Sequence, residues 1–204
     1  MTTHNPKEGI KMLQHKKTST QNLVLGAIMT ALVIVFQLVG TFTTFFGPFS
    51  TALALIPIVI GAAMCGVGTG AWLGFIFGLV VLLSGGGNLF LAFSVHGTII
   101  TVLAKGTLCG LAAGIVYKLL YKHNRFIAVL AAAIICPVVN TGVFMLGSIV
   151  FFLDFAEKIA TAIGLEKAGI AVFTAMATGN FIFELGLNIV LSPVVVRLLN
   201  IKKK

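Results

Sequence analysis

The feature that most constrains this chain is the absence of Asp, Glu, Lys and Arg from Thr18 to Ala104. Soluble domains carry about one charged residue in four, so a charge-free run of this length does not belong on a surface in water. Hydrophobic residues make up 58% of the 204 positions and charged residues only 9%, which excludes the soluble globular classes. The sequence therefore predicts an all-α integral membrane protein.

Six apolar segments are predicted to form transmembrane helices. A helix needs about 20 mostly apolar residues to cross the hydrocarbon core, and glycine, proline and polar turns bound the segments. The segments cover residues 21–40, 49–66, 68–84, 92–119, 126–152 and 170–196. Only Gly66-Val67-Gly68 marks the boundary between the second and third segments. Because the polar stretches are too short to fold separately, we expect a single six-helix bundle.

Lysine and arginine residues fix the predicted orientation, since cations near helix ends are retained in the cytoplasm. One side of the membrane receives Lys7, Lys11, Lys16, Lys17, Lys118, Lys122, Arg125, Arg197, Lys202, Lys203 and Lys204. The other side receives Lys158 and Lys167, offset by Asp154, Glu157 and Glu166. Both termini are thus predicted to be cytoplasmic, with an N-terminal tail at 1–20, the transmembrane domain at 21–199 and a basic C-terminus at 200–204.

The sequence offers no catalytic, metal or cofactor motif. Cys65, Cys109 and Cys136 have no Cys-x-x-Cys spacing, and the glycine-rich run at 84–88 lacks the Lys and Ser/Thr of a P-loop. Glu184 is the lone acid deep in a predicted helix, which leaves no paired groups for intramembrane hydrolysis. The net charge of +9 reflects cations at helix ends rather than a nucleic-acid surface. We therefore expect no enzyme activity, no resident cofactor and no metal.

Glycines recur at every fourth position in the third and fourth segments. One ladder consists of Gly66, Gly70, Gly74 and Gly78, and the other of Gly106, Gly110 and Gly114. Such ladders let a neighbouring backbone approach closely and gain dispersion contact that lipid cannot match. They indicate tight helix packing within the chain or, alternatively, a smooth surface on which another subunit slides.

Three polar residues, Lys105, Asn140 and Glu184, lie near the middle of predicted helices, where hydrocarbon makes them costly. Each of these residues shares one face of its helix with two others at helical spacing, which gives three mostly polar stripes. The stripes are Thr98, Thr101 and Lys105; Asn140, Phe144 and Ser148; and Asn180, Glu184 and Asn188. Because lipid cannot satisfy hydrogen-bonding groups, we expect the stripes to face one another. Two interpretations stay open. Either a Lys105–Glu184 ion pair locks the bundle, or a polar cavity binds a solute from outside, covered by the outer loops at 41–49 and 84–88.

Several of these motifs together resemble one transporter family. They are Ala27-x-x-x-Ala31, Gly47-Pro48-Phe49-Ser50, the run from Leu55 to Ala62, the glycine ladder of the third segment, Lys105-Gly106-Thr107 and Pro137-x-x-Asn140-Thr141. From residue 20 to residue 200 the chain resembles the substrate-binding S component of an energy-coupling-factor (ECF) type vitamin transporter. The motifs are specific for the family rather than for the substrate.

The resemblance implies a high-affinity vitamin-binding subunit in a bacterial plasma membrane. Such a subunit docks on a transmembrane T component attached to two cytosolic ATPases, which supply the ATP hydrolysis, and topples in the membrane to release its cargo inward. Ala27 and Ala31 match the family's docking motif on the first helix. The family's pocket lies among helices four to six and the first, third and fifth loops, where the polar stripes converge.

Within that pocket the predicted substrate-binding residues are Thr98, Thr101, Lys105, Asn140, Phe144, Asn180, Glu184 and Asn188. A single cation favours a solute with one carboxylate, so pantothenate is the first candidate, with its amide and hydroxyl groups addressed by the asparagines. Nicotinate or another vitamin with one acid group is the alternative. Two other function classes remain: a self-sufficient secondary carrier that uses Glu184 as a proton site, and a membrane assembly factor without a small ligand.

Overall fold

The fold was obtained as a computed structural model that describes the backbone of residues 6–42, 53–162, 164 and 169–201. Within those ranges, the side chains of residues 6–19, 42, 172, 176 and 198–201 are left undescribed. The described chain contains α-helices and turns and no β-strand. The helices are α1 (Pro6–Phe42), α2 (Leu55–Cys65), α3 (Val67–Leu83), α4 (Asn88–Leu91), α5 (Val95–Leu120), α6 (Arg125–Phe151), α7 (Leu153–Ala162) and α8 (Gly169–Ile201).

Within the described ranges, four stretches of helix are long and apolar enough to cross a membrane: Thr20–Thr41, Val95–Leu120, Arg125–Phe151 and Gly169–Arg197. The helices α2 and α3 are apolar but shorter, with 11 and 17 residues. In its described part, each predicted segment therefore overlaps a helix, and the all-α membrane class is confirmed. Six crossings and cytoplasmic termini stay predictions.

The outer surface of the bundle is apolar, as expected of a protein that faces lipid. Large side chains such as Leu83, Leu119 and Val190 are mostly exposed. Trp72, the single tryptophan of the chain, is 53% exposed on α3 and lies beside Phe75, with ring centroids 6.2 Å apart. In water such a surface would be unstable, so its solvent is the hydrocarbon of the bilayer.

Several boundaries differ from the predicted segments. Helix α1 already begins at Pro6, so most of the predicted tail at 1–20 is helical and continuous with the first segment. Gly66 alone separates α2 from α3, with φ of 102° and ψ of 177°, a conformation that is essentially restricted to glycine. The short helices α4 and α7 lie between the predicted transmembrane segments, where we expected loops. The predicted Gly47-Pro48 turn lies outside the described residues.

The two glycine ladders pack against each other and join α3 to α5. A Cβ added to Gly70 would lie 2.6 Å from the carbonyl oxygen of Gly110, and one added to Gly78 would lie 2.8 Å from that of Val102. A Cβ on Gly74 would collide with the carbonyl oxygen of Gly106. The ladders therefore serve packing within the chain, and their buried members cannot also form a sliding surface for a partner.

Side-chain caps fix where the helices of the polar stripes begin. Ser94 precedes α5, and its hydroxyl accepts a hydrogen bond from the Gly97 N–H at 3.2 Å. Asn124 precedes α6, and its Oδ1 accepts from the N–H groups of Phe126 and Ile127 at 2.8 and 3.3 Å. Each cap satisfies donors that the first helical turn leaves open. The caps thereby stabilise the first turns of the two helices that carry Lys105 and Asn140.

We predict that Gly74→Ala destabilises the protein while Gly68→Ala does not. The new methyl group at position 74 must push apart the backbones of α3 and α5, which costs about 1–3 kcal/mol for overpacking. Gly68 lies on the same helix with open space where its Cβ would be, which makes it the matched control. Thermal unfolding of the purified variants in detergent measures the difference. Equal melting temperatures for the two variants would contradict the packing interpretation.

Candidate functional site

Helices α3, α4, α5, α6 and α8 surround a cavity in the described part of the bundle. Its polar lining consists of Lys105, Asn140, Thr141, Asn180 and Glu184. Its apolar lining consists of Phe77, Val81, Phe90, Val102, Phe144 and Ala177, completed by Gly86 and Gly87 of the turn between α3 and α4. The centres of water-sized molecules can occupy about 50 Å³ of this cavity. That is room for a few waters, since each needs about 10–15 Å³.

Glu184 is the most deeply buried charged group of the cavity, with only 2% of its surface exposed. Its Oε1 accepts a hydrogen bond from Asn180 Nδ2 at 2.8 Å, one turn earlier on α8. Its Oε2 accepts from Asn140 Nδ2 at 3.4 Å, across the interface with α6. A buried carboxylate requires such donors, because the desolvation of an unpaired charge is prohibitive. The carboxylate therefore joins α6 and α8 at the cavity.

Lys105 enters the same cavity from α5 between two aromatic rings. Its ammonium nitrogen lies 5.3 Å from the ring centroid of Phe144 and 5.9 Å from that of Phe77. Both distances are within the range of cation–π attraction. The negative charge of Glu184 attracts this ammonium group. The cavity thus contains one cation held by ring faces and one anion held by amides.

The structure brings together five of the predicted site residues: Lys105, Asn140, Phe144, Asn180 and Glu184 all line the cavity. The other three lie outside that lining. Thr98 is buried, and its hydroxyl donates to the Ser94 carbonyl at 2.7 Å. Thr101 is buried at the contact of α5 with Gly147 of α6. Asn188 donates to the backbone carbonyl of Glu184 at 2.8 Å, one turn beyond the cavity on α8.

Several lining residues were not predicted from the sequence. Phe77 and Val81 are one helical turn apart on α3, next to the ladder glycine Gly78, and this spacing could have indicated a face shared with α5. Thr141 follows directly on Asn140. Phe90 lies on α4, a helix of four residues with no periodic signal, so nothing in the sequence pointed to it.

Phe90 also belongs to an aromatic cluster that borders the cavity. Its ring centroid lies 5.1–6.0 Å from those of Phe144, Phe152, Phe155 and Phe173. Three of these contacts are edge-to-face, and the one to Phe173 is stacked. The cluster gathers side chains from α4, α6, α7 and α8 and the residue between α6 and α7. It forms an apolar wall beside the polar groups.

The turn between α3 and α4, which supplies Gly86 and Gly87 to the lining, is also tied to α1. The hydroxyl groups of Thr41 and Ser84 lie 3.1 Å apart and share a hydrogen bond. Gln37, one turn before Thr41 on α1, donates to the Thr41 hydroxyl at 3.4 Å. One wall of the cavity is therefore connected to the first helix.

Ala27 and Ala31, the predicted docking residues, are exposed on α1. They are one helical turn apart, so they share a face. Leu23, Val24 and Ile28 are exposed around them. This stretch of α1 presents small and apolar side chains outward.

Comparison with known proteins identifies the family. The sequence matches the family described as "ECF transporter, substrate-specific component" over residues 21–196. Searches of curated proteins and of solved structures gave no match. The matched region contains every residue that lines the cavity and both exposed alanines of α1. The chain therefore belongs to the family of substrate-specific components of ECF transporters.

Proposed function

We propose that the substrate of this transport component is a vitamin with a single carboxylate, with pantothenate as the first candidate. The observation that carries the proposal is the position of Lys105, a cation at the surface of a cavity that also contains asparagine amides. A carboxylate placed beside the ammonium group would form a charge-assisted hydrogen bond. The amides of Asn140 and Asn180 are the groups available to the amide and hydroxyl groups of pantothenate.

The aromatic surroundings of Lys105 support this role. Ring faces attract the ammonium group, but they are weaker hydrogen-bond acceptors than oxygen atoms. Its three N–H groups therefore retain the capacity to donate to a ligand. A carboxylate can therefore be added to the ammonium group without displacing Phe77 or Phe144. The negative charge of Glu184 at the same cavity disfavours a substrate with a second acid group near it, because like charges repel.

Entry of a vitamin requires the cavity to enlarge. Ligand pockets commonly measure about 300–1,000 Å³, whereas the space for water centres here is about 50 Å³. We propose that the turn from Ser84 to Gly87 moves, because it connects α3 to α4 and belongs to neither helix. Gly85 in this turn has φ of 83°, a conformation that glycine adopts without steric cost.

The partners follow from the family. We propose that Ala27 and Ala31 dock on a transmembrane T component, and that two cytosolic ATPases attached to it supply the energy for release. The membrane arrangement proposed here is six helices within 21–199, with the segments at 1–20 and 200–204 both cytoplasmic, in a bacterial plasma membrane. The exposed, small and apolar face of α1 suits a contact between helices in lipid.

A secondary carrier is the second candidate, and the burial of Glu184 beside the cavity is the observation that favours it. Such a carrier would move its solute by protonating and deprotonating Glu184 without partner subunits. The carboxylate here accepts hydrogen bonds from two amides, which hold it between α6 and α8. An assembly factor has no such support, since it does not need a polar cavity.

Mass spectrometry of small molecules that co-purify with the protein tests the proposal directly. We expect a vitamin with one carboxylate, and pantothenate if the first candidate is correct. Release of the same compound on mild heating, together with rebinding to the emptied protein, would establish it as the ligand. A co-purifying compound with no acid group would contradict the proposal.

We predict that Lys105→Ala weakens binding of the identified ligand by about 2–5 kcal/mol, the range for losing one partner of a buried charge-assisted pair. Equilibrium titration of the purified protein measures the loss. Lys118→Ala is the matched control, because Lys118 lies on the same helix but is exposed near its end. An unchanged affinity in Lys105→Ala would remove Lys105 from the site.

We also predict that Ala27→Trp or Ala31→Trp abolishes uptake into cells that contain the partner subunits but leaves ligand binding by the purified chain intact. The indole would prevent close approach of a partner helix, while the cavity is lined by other helices. Leu38→Trp, at an exposed position further along α1, is the control. Equal loss of uptake and of binding would argue against a docking role.

A further inference from the structure

We infer that Asn140 and Asn180 select substrates that carry hydrogen-bond donors, and that Glu184 acts as the positioning residue which imposes this selection. The inference rests on the proposed function and deepens it. It adds to the carboxylate requirement at Lys105 a second requirement at the other polar groups of the cavity. The substrate class becomes a monocarboxylate with at least two hydroxyl or N–H groups.

The first step concerns the orientation of the two amides. An asparagine side chain has a donor end, Nδ2, and an acceptor end, Oδ1, whereas an ionised carboxylate only accepts. Both Asn140 and Asn180 direct Nδ2 to Glu184. Turning either amide around would place two acceptors against each other. Glu184 therefore fixes both amides with the acceptor end directed away from its own carboxylate.

The second step concerns the acceptor ends. Asn140 is only 4% exposed, and the Oδ1 atoms of Asn140 and Asn180 are both buried without a hydrogen-bond donor in the described part of the molecule. A buried acceptor without a donor is costly, and the cost persists if a ligand without donors fills the cavity. Both residues line the cavity, so the enlargement that ligand entry requires would open these oxygens to a ligand, and hydroxyl or N–H groups on the ligand would remove that cost.

The third step is the consequence for selectivity. Sites built to hydrogen-bond a ligand's hydroxyl or N–H reject an analogue that lacks it far more strongly than apolar pockets reject a missing methyl group. Pantothenate carries two hydroxyls and an amide N–H beside its single carboxylate. Ionised nicotinate carries a carboxylate and no donor. The geometry of Asn140 and Asn180 therefore favours pantothenate-like acids over nicotinate-like acids.

The test compares three probes by equilibrium binding to the full chain in lipid nanodiscs: pantothenate, its analogue with both hydroxyls replaced by hydrogen, and nicotinate. We expect the unaltered protein to bind pantothenate about a hundredfold or more tightly than the analogue or nicotinate. In Glu184→Gln this preference should fall by about tenfold or more. The glutamine side chain can donate to the Oδ1 of Asn140 or Asn180, so that asparagine amide can turn its Oδ1 towards position 184 and away from the ligand.

Two variants separate selectivity from affinity. Lys105→Ala should weaken pantothenate and its analogue by the same factor, so that their ratio is unchanged. Asn180→Leu removes one acceptor and should lower the ratio, which keeps the test valid if Glu184→Gln does not fold. Ser192→Ala is the control for loss of a buried polar group, since its hydroxyl donates to the Asn188 carbonyl further along α8. It should leave the ratio unchanged.

The outcomes distinguish this inference from the proposed function. If the analogue or nicotinate binds as tightly as pantothenate, or if the ratio is unchanged in both Glu184→Gln and Asn180→Leu, the inference is overturned and the carboxylate proposal stands. If none of the three probes binds the unaltered protein, pantothenate falls as the candidate substrate and the inference falls with it, whereas the requirement for one carboxylate is decided by the co-purifying compound.

Discussion

The constraint on which the rest of this structure depends is that hydrocarbon cannot solvate the carboxylate of Glu184. Donors must therefore come from the chain, and Asn180 on the same helix and Asn140 on α6 supply them. The same two hydrogen bonds orient both amides and join α6 to α8. The candidate site and the packing of the bundle therefore share these hydrogen bonds.

The glycine contact between α3 and α5 has a similar double role. Gly78 and Gly106 belong to the ladders that bring the two backbones together, and Phe77 and Lys105 are their immediate neighbours in sequence. Because the backbones are so close, the ring of Phe77 reaches the ammonium group of Lys105. Larger residues in the ladders would separate the cation from the ring that attracts it. Packing residues thus position a residue of the candidate site.

Helical periodicity was sufficient to predict that Lys105, Asn140 and Glu184 meet, because polar residues at the middle of apolar helices have few alternatives. It could not determine which stripe members reach the cavity. Thr98 and Asn188 satisfy part of their hydrogen bonding on backbone carbonyls of their own helices, a local solution that spacing does not reveal. The contribution of Phe90 depends on α4, whose four residues are too few for any periodic pattern. The long apolar helices were predictable, whereas the short helices α4 and α7 were not.

The position of Trp72 on the lipid-facing surface determines what the fluorescence of this protein reports. The indole is more than half exposed, on the outside of α3, and it does not line the cavity. As the single tryptophan of the chain, it dominates the intrinsic fluorescence. That emission therefore senses acyl chains and detergent rather than occupancy of the cavity. A tryptophan introduced near the cavity, in a variant that lacks Trp72, would report on occupancy of the cavity instead.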